Sequence, residues 1–79
     1  MTRYRIMSRE ANGSEHDETP DRFETFEAAM VFVSDYLAQA VACGIFTTHQ
    51  ADKLKSAIAR NGHGRWDKFA RMAIVKEVT

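Results

Sequence analysis

The sequence has one cysteine, one proline and no apolar run long enough to cross a bilayer. Cys43, standing alone, closes no internal disulfide. His16, His49 and His63 are scattered, without the paired spacing of a zinc motif. The longest apolar tract is broken by Asp35 and Gln39, well short of the ~20 residues a membrane helix needs. No apolar signal-peptide core opens the chain, so a cytoplasmic location is expected. Net charge is missing as well: 11 Lys and Arg balance 11 Asp and Glu. That balance argues against a uniformly basic nucleic-acid binder and equally against an acidic nucleic-acid mimic.

What is present suits one small domain covering residues 1–79, with 44% hydrophobic and 28% charged residues. Its organising stretch is Thr25 to Gly44. At about 100° per residue, Phe26, Met30, Val33, Leu37, Ala40 and Val41 share one helix face, and Phe32, Tyr36 and Cys43 continue it. The apolar arc is roughly twice the ~100° stripe of an ordinary surface helix. Such a helix needs cover from two directions: a sheet and a second helix, or a sheet and another chain. Thr25 is its expected N-cap and Gly44 its stop. On so apolar a helix, Cys43 is expected to be a small buried filler rather than a nucleophile.

Around that helix the chain reads as α+β. Thr2 to Arg9 alternates, with Tyr4 and Ile6 facing one way and Arg3, Arg5, Met7 and Arg9 the other, the pattern of a half-buried strand with a basic outer face. Asn12-Gly13 signals a hairpin turn, because both residues tolerate positive φ. The return segment, Ser14 to Arg22, lacks aliphatic residues and holds Pro20, so it makes at best a ragged edge strand. Its acids can lie opposite the arginines of the first strand. A further short strand is expected near 21–24. Thr47 and Gln50 have capping-box spacing ahead of a second helix at about 48–60, with Ala51, Leu54, Ala57 and Ile58 as its apolar stripe. Residues 61–64, Asn-Gly-His-Gly, then end it as a flexible loop. The expected architecture is a β-hairpin-like N-terminus and two packed helices, about 25–43 and 48–60. A C-terminal strand at about 68–78 follows, pairing with the first in an antiparallel sheet. Apolar residues on both faces of that last segment mark it as a central strand, or one that meets a partner.

The residues offer no acid–base pair, nucleophile–base pair or phosphate loop, so an enzyme is not expected and no cofactor is implied. A helix-turn-helix fails because Thr47, Gln50 and Lys53 stand where apolar residues would be needed. A ribbon-helix-helix fails because a long acidic connector separates strand from helix. Nucleic-acid binding is therefore the alternative, as a small regulator, and protein contact the main expectation. The candidate partner surface comprises Arg3, Arg5 and Arg9 of the first strand, Lys68 and Arg71 of the last, and Trp66 at the rim, since Arg and Trp are enriched among interface hot spots. The acidic 10–27 segment is the competing surface. Phe32 and Tyr36, if left uncovered, would make a homodimer contact.

In size and make-up, with its short basic strand TRYRIMSR and an amphipathic helix entered through FETFEAAM, the chain resembles the small single-domain anti-CRISPR proteins of phages and mobile elements. The resemblance transfers no individual residue, because that class shares no motif. It implies a stoichiometric inhibitor that binds a type I CRISPR surveillance complex and blocks its target DNA binding.

Overall fold

The alternation at the start of the chain becomes β1 (Thr2–Arg9), in a computed structural model that describes residues 2–66 and 70–78. A three-residue loop, Ala11 to Gly13, returns the chain into β2 (Glu15–Asp17), closed by Glu10 N–H to Ser14 O at 2.8 Å and Gly13 N–H to Glu10 O at 2.9 Å. Gly13 alone takes positive φ there. The hairpin turn expected at Asn12-Gly13 is thus present as a three-residue loop, in which Asn12 accepts the Ser14 amide through its side chain at 2.9 Å. β2 stops at Asp17, ahead of Pro20, as an edge strand should. The strand expected at 21–24 reduces to a single bridge, Phe23 exchanging both backbone hydrogen bonds with Tyr4.

α1 (Phe26–Ala42) and α2 (Thr48–Asn61) follow. Thr25 caps the first by accepting the Ala28 amide. Thr47 and Gln50 form the reciprocal capping box of the second, with bonds of 3.1 and 2.9 Å. Gly62, in the left-handed conformation, ends α2, its amide donating to Ile58 O. Its own carbonyl accepts the Ile74 amide at 2.8 Å, which ties the helix end to the sheet. Two further strands complete the order: β3 (His63–Arg65) and β4 (Arg71–Val78). The antiparallel sheet runs β2-β1-β4-β3, with β4 central as its two apolar faces implied. The expected strand start at Lys68 and Phe69 lies outside the described residues.

β3 corrects the flexible loop expected at 61–64. Three residues with a glycine carry no strand signal, but Gly64 is where the sheet presses closest to α2. A Cβ at Gly64 would sit 2.7 Å from Leu54 Cδ1, 3.0 Å from Ala57 Cβ and 3.2 Å from the Leu54 carbonyl oxygen. Only a residue without a side chain lets this edge strand seat against the helix.

Both helices lie on one face of the sheet. The core joins Ile6, Met72 and Ile74 of the sheet to Ala29, Val33 and Leu37 of α1 and to Ala51, Leu54 and Ile58 of α2. The wide arc of α1 is thus covered from two directions by the chain itself. Phe32 packs on Phe23 with centroids 5.8 Å apart and stacks on Tyr36 at 6.4 Å. The flank left open for a second copy is therefore half-buried beneath the chain's own returning segment. Cys43 is not the buried filler expected: α1 overruns its cover, and residues 42–45 are all exposed.

Two substitutions test this packing. Gly64→Ala is expected to lower unfolding free energy by about 1–3 kcal/mol through overpacking against α2, read by urea denaturation; an unchanged midpoint would contradict the close approach. Ser8 is 1% exposed on the core face, and its hydroxyl has no hydrogen-bond partner among the described residues. Ser8→Ala should therefore be neutral or stabilising by roughly 1 kcal/mol, and a loss of stability in the same assay would reveal a partner.

Candidate functional site

Because the helices occupy one face, the alternation of β1 and β4 sends a second set of side chains to an uncovered outer face. The register fixes its rows. Glu15, Arg9, Arg71 and Arg65 form one row across all four strands, and Asp17, Met7, Ala73 and His63 the next. Arg5 then stands opposite Val75, and Arg3 opposite Glu77. The face is charged because each of its strands alternates, and mixed because the acids of β2 are brought beside the arginines of β1.

At one end the charges close on themselves. Arg5 Nη1 donates to Asp17 Oδ1 at 2.9 Å, and Arg22 Nη2 to Asp17 Oδ2 at 3.1 Å. Arg22 Nε donates to Glu77 Oε1 at 2.7 Å, and Glu77 Oε2 lies 3.9 Å from Arg5 Nε. Two guanidinium groups and two carboxylates thus make a four-membered ring over the sheet. Arg22 also donates to the carbonyls of Pro20 and Asp21, which fixes the irregular stretch that carries it. These side chains are about a third exposed (29–37%), so each pair contributes ~0.2–1 kcal/mol and weakens in salt. The chief effect is geometric: the guanidinium planes are held.

At the other end, Arg9 grips Glu15 through both Nε and Nη2, the Nε bond measuring 2.9 Å. The Glu15 carboxyl is held below its ordinary range, first by that hydrogen bond, then by the charge of Arg9 and more weakly by Arg71 and Arg5. Arg71 sits directly between Arg9 and Arg65. Neither Arg71 nor Arg65 has an ion-pair partner among the described residues.

Of the residues singled out in the sequence, Arg3, Arg5, Arg9 and Arg71 share this face. Trp66 does not: its indole packs on Phe46, with ring centroids 5.8 Å apart, beyond the β3 edge on the helix side. There it lines a groove with His49, Lys53 and Arg65. Lys68 lies outside the described residues. Arg22 and Arg65 belong to the face and escaped sequence reading. The one available signal for Arg22 was its position as the lone base inside an acidic stretch.

Part of that acidic stretch serves as internal counter-charge. Glu15 and Asp17 pair with arginines, and Glu18 lies 3.3 Å from His16 Nε2. Glu18 also bonds Tyr36, whose hydroxyl is pushed above its usual range by burial first and by Glu18 second. Among the described residues no cluster of three or more His, Cys, Asp or Glu side chains could hold a metal, and no helix is long and apolar enough to cross a membrane.

A raised Tyr36 means that the native state holds this proton more tightly than the unfolded chain, where the phenol titrates near 10. Its contribution to stability is therefore complete below about pH 10 and is lost as pH rises beyond it. Denaturant midpoints on either side of about pH 10 should fall for the wild type and fall less for Tyr36→Phe. Parallel losses would remove Tyr36 as the cause.

No family model, curated protein or solved structure matches the chain, so its functional reading rests on the geometry of this face.

Proposed function

We propose that the protein is a non-enzymatic inhibitor acting by protein contact through the outer face of its sheet, in the manner of an anti-CRISPR protein. Its target would be a type I CRISPR surveillance complex, which it would keep from binding DNA. The observation that carries the contact surface is a four-stranded sheet with both helices on one side and pre-positioned arginines on the other. The ion pairs at one end hold the face in shape, which lowers the ordering cost of docking, and Arg is a frequent anchor of interfaces. The dispersal of possible catalytic groups supports the non-enzymatic part: His16 is on β2, His49 in the first turn of α2, His63 on β3 and Cys43 at the end of α1. The choice of a CRISPR effector rests on the resemblance in size and make-up.

A small nucleic-acid-binding regulator is the second reading, favoured by one observation: three arginines in a single row across the sheet. Salt dependence separates the two, since phosphate contacts release counterions.

The test is target-DNA binding by a purified type I surveillance complex from the source organism, with the protein titrated in. The wild type should reduce the DNA-bound fraction stoichiometrically. Ala73→Arg, which adds bulk at the middle of the face between Met7 and His63 while keeping every arginine, should fold and lose inhibition. Undiminished DNA binding with the wild type would defeat the CRISPR assignment. Full inhibition by Ala73→Arg would defeat the choice of face.

A further inference from the structure

We infer that the row Arg9–Arg71–Arg65 is a recognition strip for the carboxylates of a short acidic segment on the protein partner. The inference rests on the outer-face reading above and adds the partner's chemistry.

The register supplies the geometry. Arg71 is the direct cross-strand partner of Arg9 on one side and of Arg65 on the other. With neighbouring strands ~4.8 Å apart, the three backbone positions lie within about 10 Å. Like charges directly opposite in a sheet destabilise it, and here two such pairs share one residue. The opposite end of the same face shows the alternative, since Arg5 and Arg22 are matched one for one by Asp17 and Glu77. In the row, three arginines meet one carboxylate, Glu15, and that one is engaged by Arg9. The difference, three minus one, leaves two uncompensated positive charges among the described residues.

Two further observations say what would bind. The Nε atoms of Arg71 and Arg5 are both shut off from solvent without a hydrogen-bond partner among the described residues, so each guanidinium is partly desolvated, but Arg5 has the Asp17 carboxylate and Arg71 has no ion-pair partner there. A desolvated cation gains more from an incoming carboxylate than one in bulk water does. The chain also carries its own example, because Glu15 already lies against the row with its charged form favoured by Arg9, Arg71 and Arg5.

The dimensions favour a peptide over a nucleic acid. Duplex binders commonly contact about 6–10 phosphates, whereas this strip offers two spare charges. It is bounded at one end by Glu15, with Asp17 in the next row, which would repel a continuing polyanion. Two carboxylates suffice to fill it, at i and i+2 of an extended segment, ~6.6 Å apart, or at i and i+4 of a helix. Beyond Arg65, the groove lined by Lys53 and Trp66 carries the strip over the sheet edge and supplies an aromatic wall for the flanking residues.

The experiment uses the full chain and a short fluorescein-labelled Glu-Gly repeat peptide, with a labelled oligothymidylate of similar length in parallel. Anisotropy is read at low and physiological salt. The wild type should bind the peptide saturably and more tightly than the oligonucleotide. Arg71→Gln and Arg65→Gln should each weaken peptide binding about tenfold or more, as expected for a charged hydrogen bond. Neither should lower the thermal midpoint, because each removes a like-charge contact. Arg60→Gln, on the last turn of α2 and away from the face, should change nothing. Tighter binding of the oligonucleotide, no peptide binding by the wild type, or unchanged affinity in Arg71→Gln would each overturn the inference. If surveillance-complex inhibition survives in Arg71→Gln while peptide binding is lost, the acidic-segment inference falls and the inhibitor reading stands. Peptide binding without inhibition by the wild type leaves the strip intact and defeats the inhibitor reading.

Discussion

The pairing of β1 with β4 over eight residues joins the two ends of the chain and sets everything built on either face. Because side chains alternate with a period of two, one register serves both faces at once, and a slip by one residue would exchange them. The register that sets Ile6 opposite Ile74 and Ser8 opposite Met72 on the core side also sets Arg9 opposite Arg71 on the outside. Burying Ile6, Met72 and Ile74 contributes ~1.5–3 kcal/mol each. A like-charge cross-strand pair costs ~0.2–1 kcal/mol. The core therefore wins, and the arginine confrontation persists as a by-product that folding alone has no means to remove.

Elements whose signal is local were legible in the sequence. The alternation of Thr2 to Arg9 gave β1. Thr25 and the Thr47–Gln50 box gave both helix starts within a residue, because a cap is a short-range hydrogen bond between side chain and backbone. The central place of β4 followed from its two apolar faces. β3 was not legible, since His63 to Arg65 is a strand only because Gly64 lets the chain lie against Leu54 and Ala57. Cys43 was misplaced for a related reason: periodicity says which way a residue points and not how far the opposing elements extend. Of the candidate surface, the four strand arginines at 3, 5, 9 and 71 were recognisable from alternation. Arg22 and Arg65 were not, because each arrives there through a segment without period, and Trp66, read as a rim residue, stands beyond the β3 edge against Phe46.

Zero net charge concealed a spatial separation. The acids at 15, 17 and 18 are adjacent in sequence to one another and read as a solvated connector. Once β2 folds back, Glu15 and Asp17 face Arg9 and Arg5, so the charge of these two is consumed internally. This pairing leaves Glu10, Asp21, Glu24 and Glu27 exposed along the same stretch. It also explains why a short, ragged β2 is enough: its role at the sheet edge is electrostatic, and three residues suffice to set Glu15 and Asp17 against their arginines.

The outer face consequently has two halves with different properties. In the Arg5–Asp17–Arg22–Glu77 ring, every charge has a partner, and a docking protein would gain little by replacing contacts that already exist. In the Arg9–Arg71–Arg65 row, Arg71 and Arg65 have no ion-pair partner among the described residues, so an incoming carboxylate would replace repulsion with attraction. The ring contributes by tying the irregular segment that carries Arg22 to Asp17 of β2 and Glu77 of β4. The half that looks most like an interface by its count of ion pairs is therefore the scaffold. The poorly compensated half is where affinity would reside.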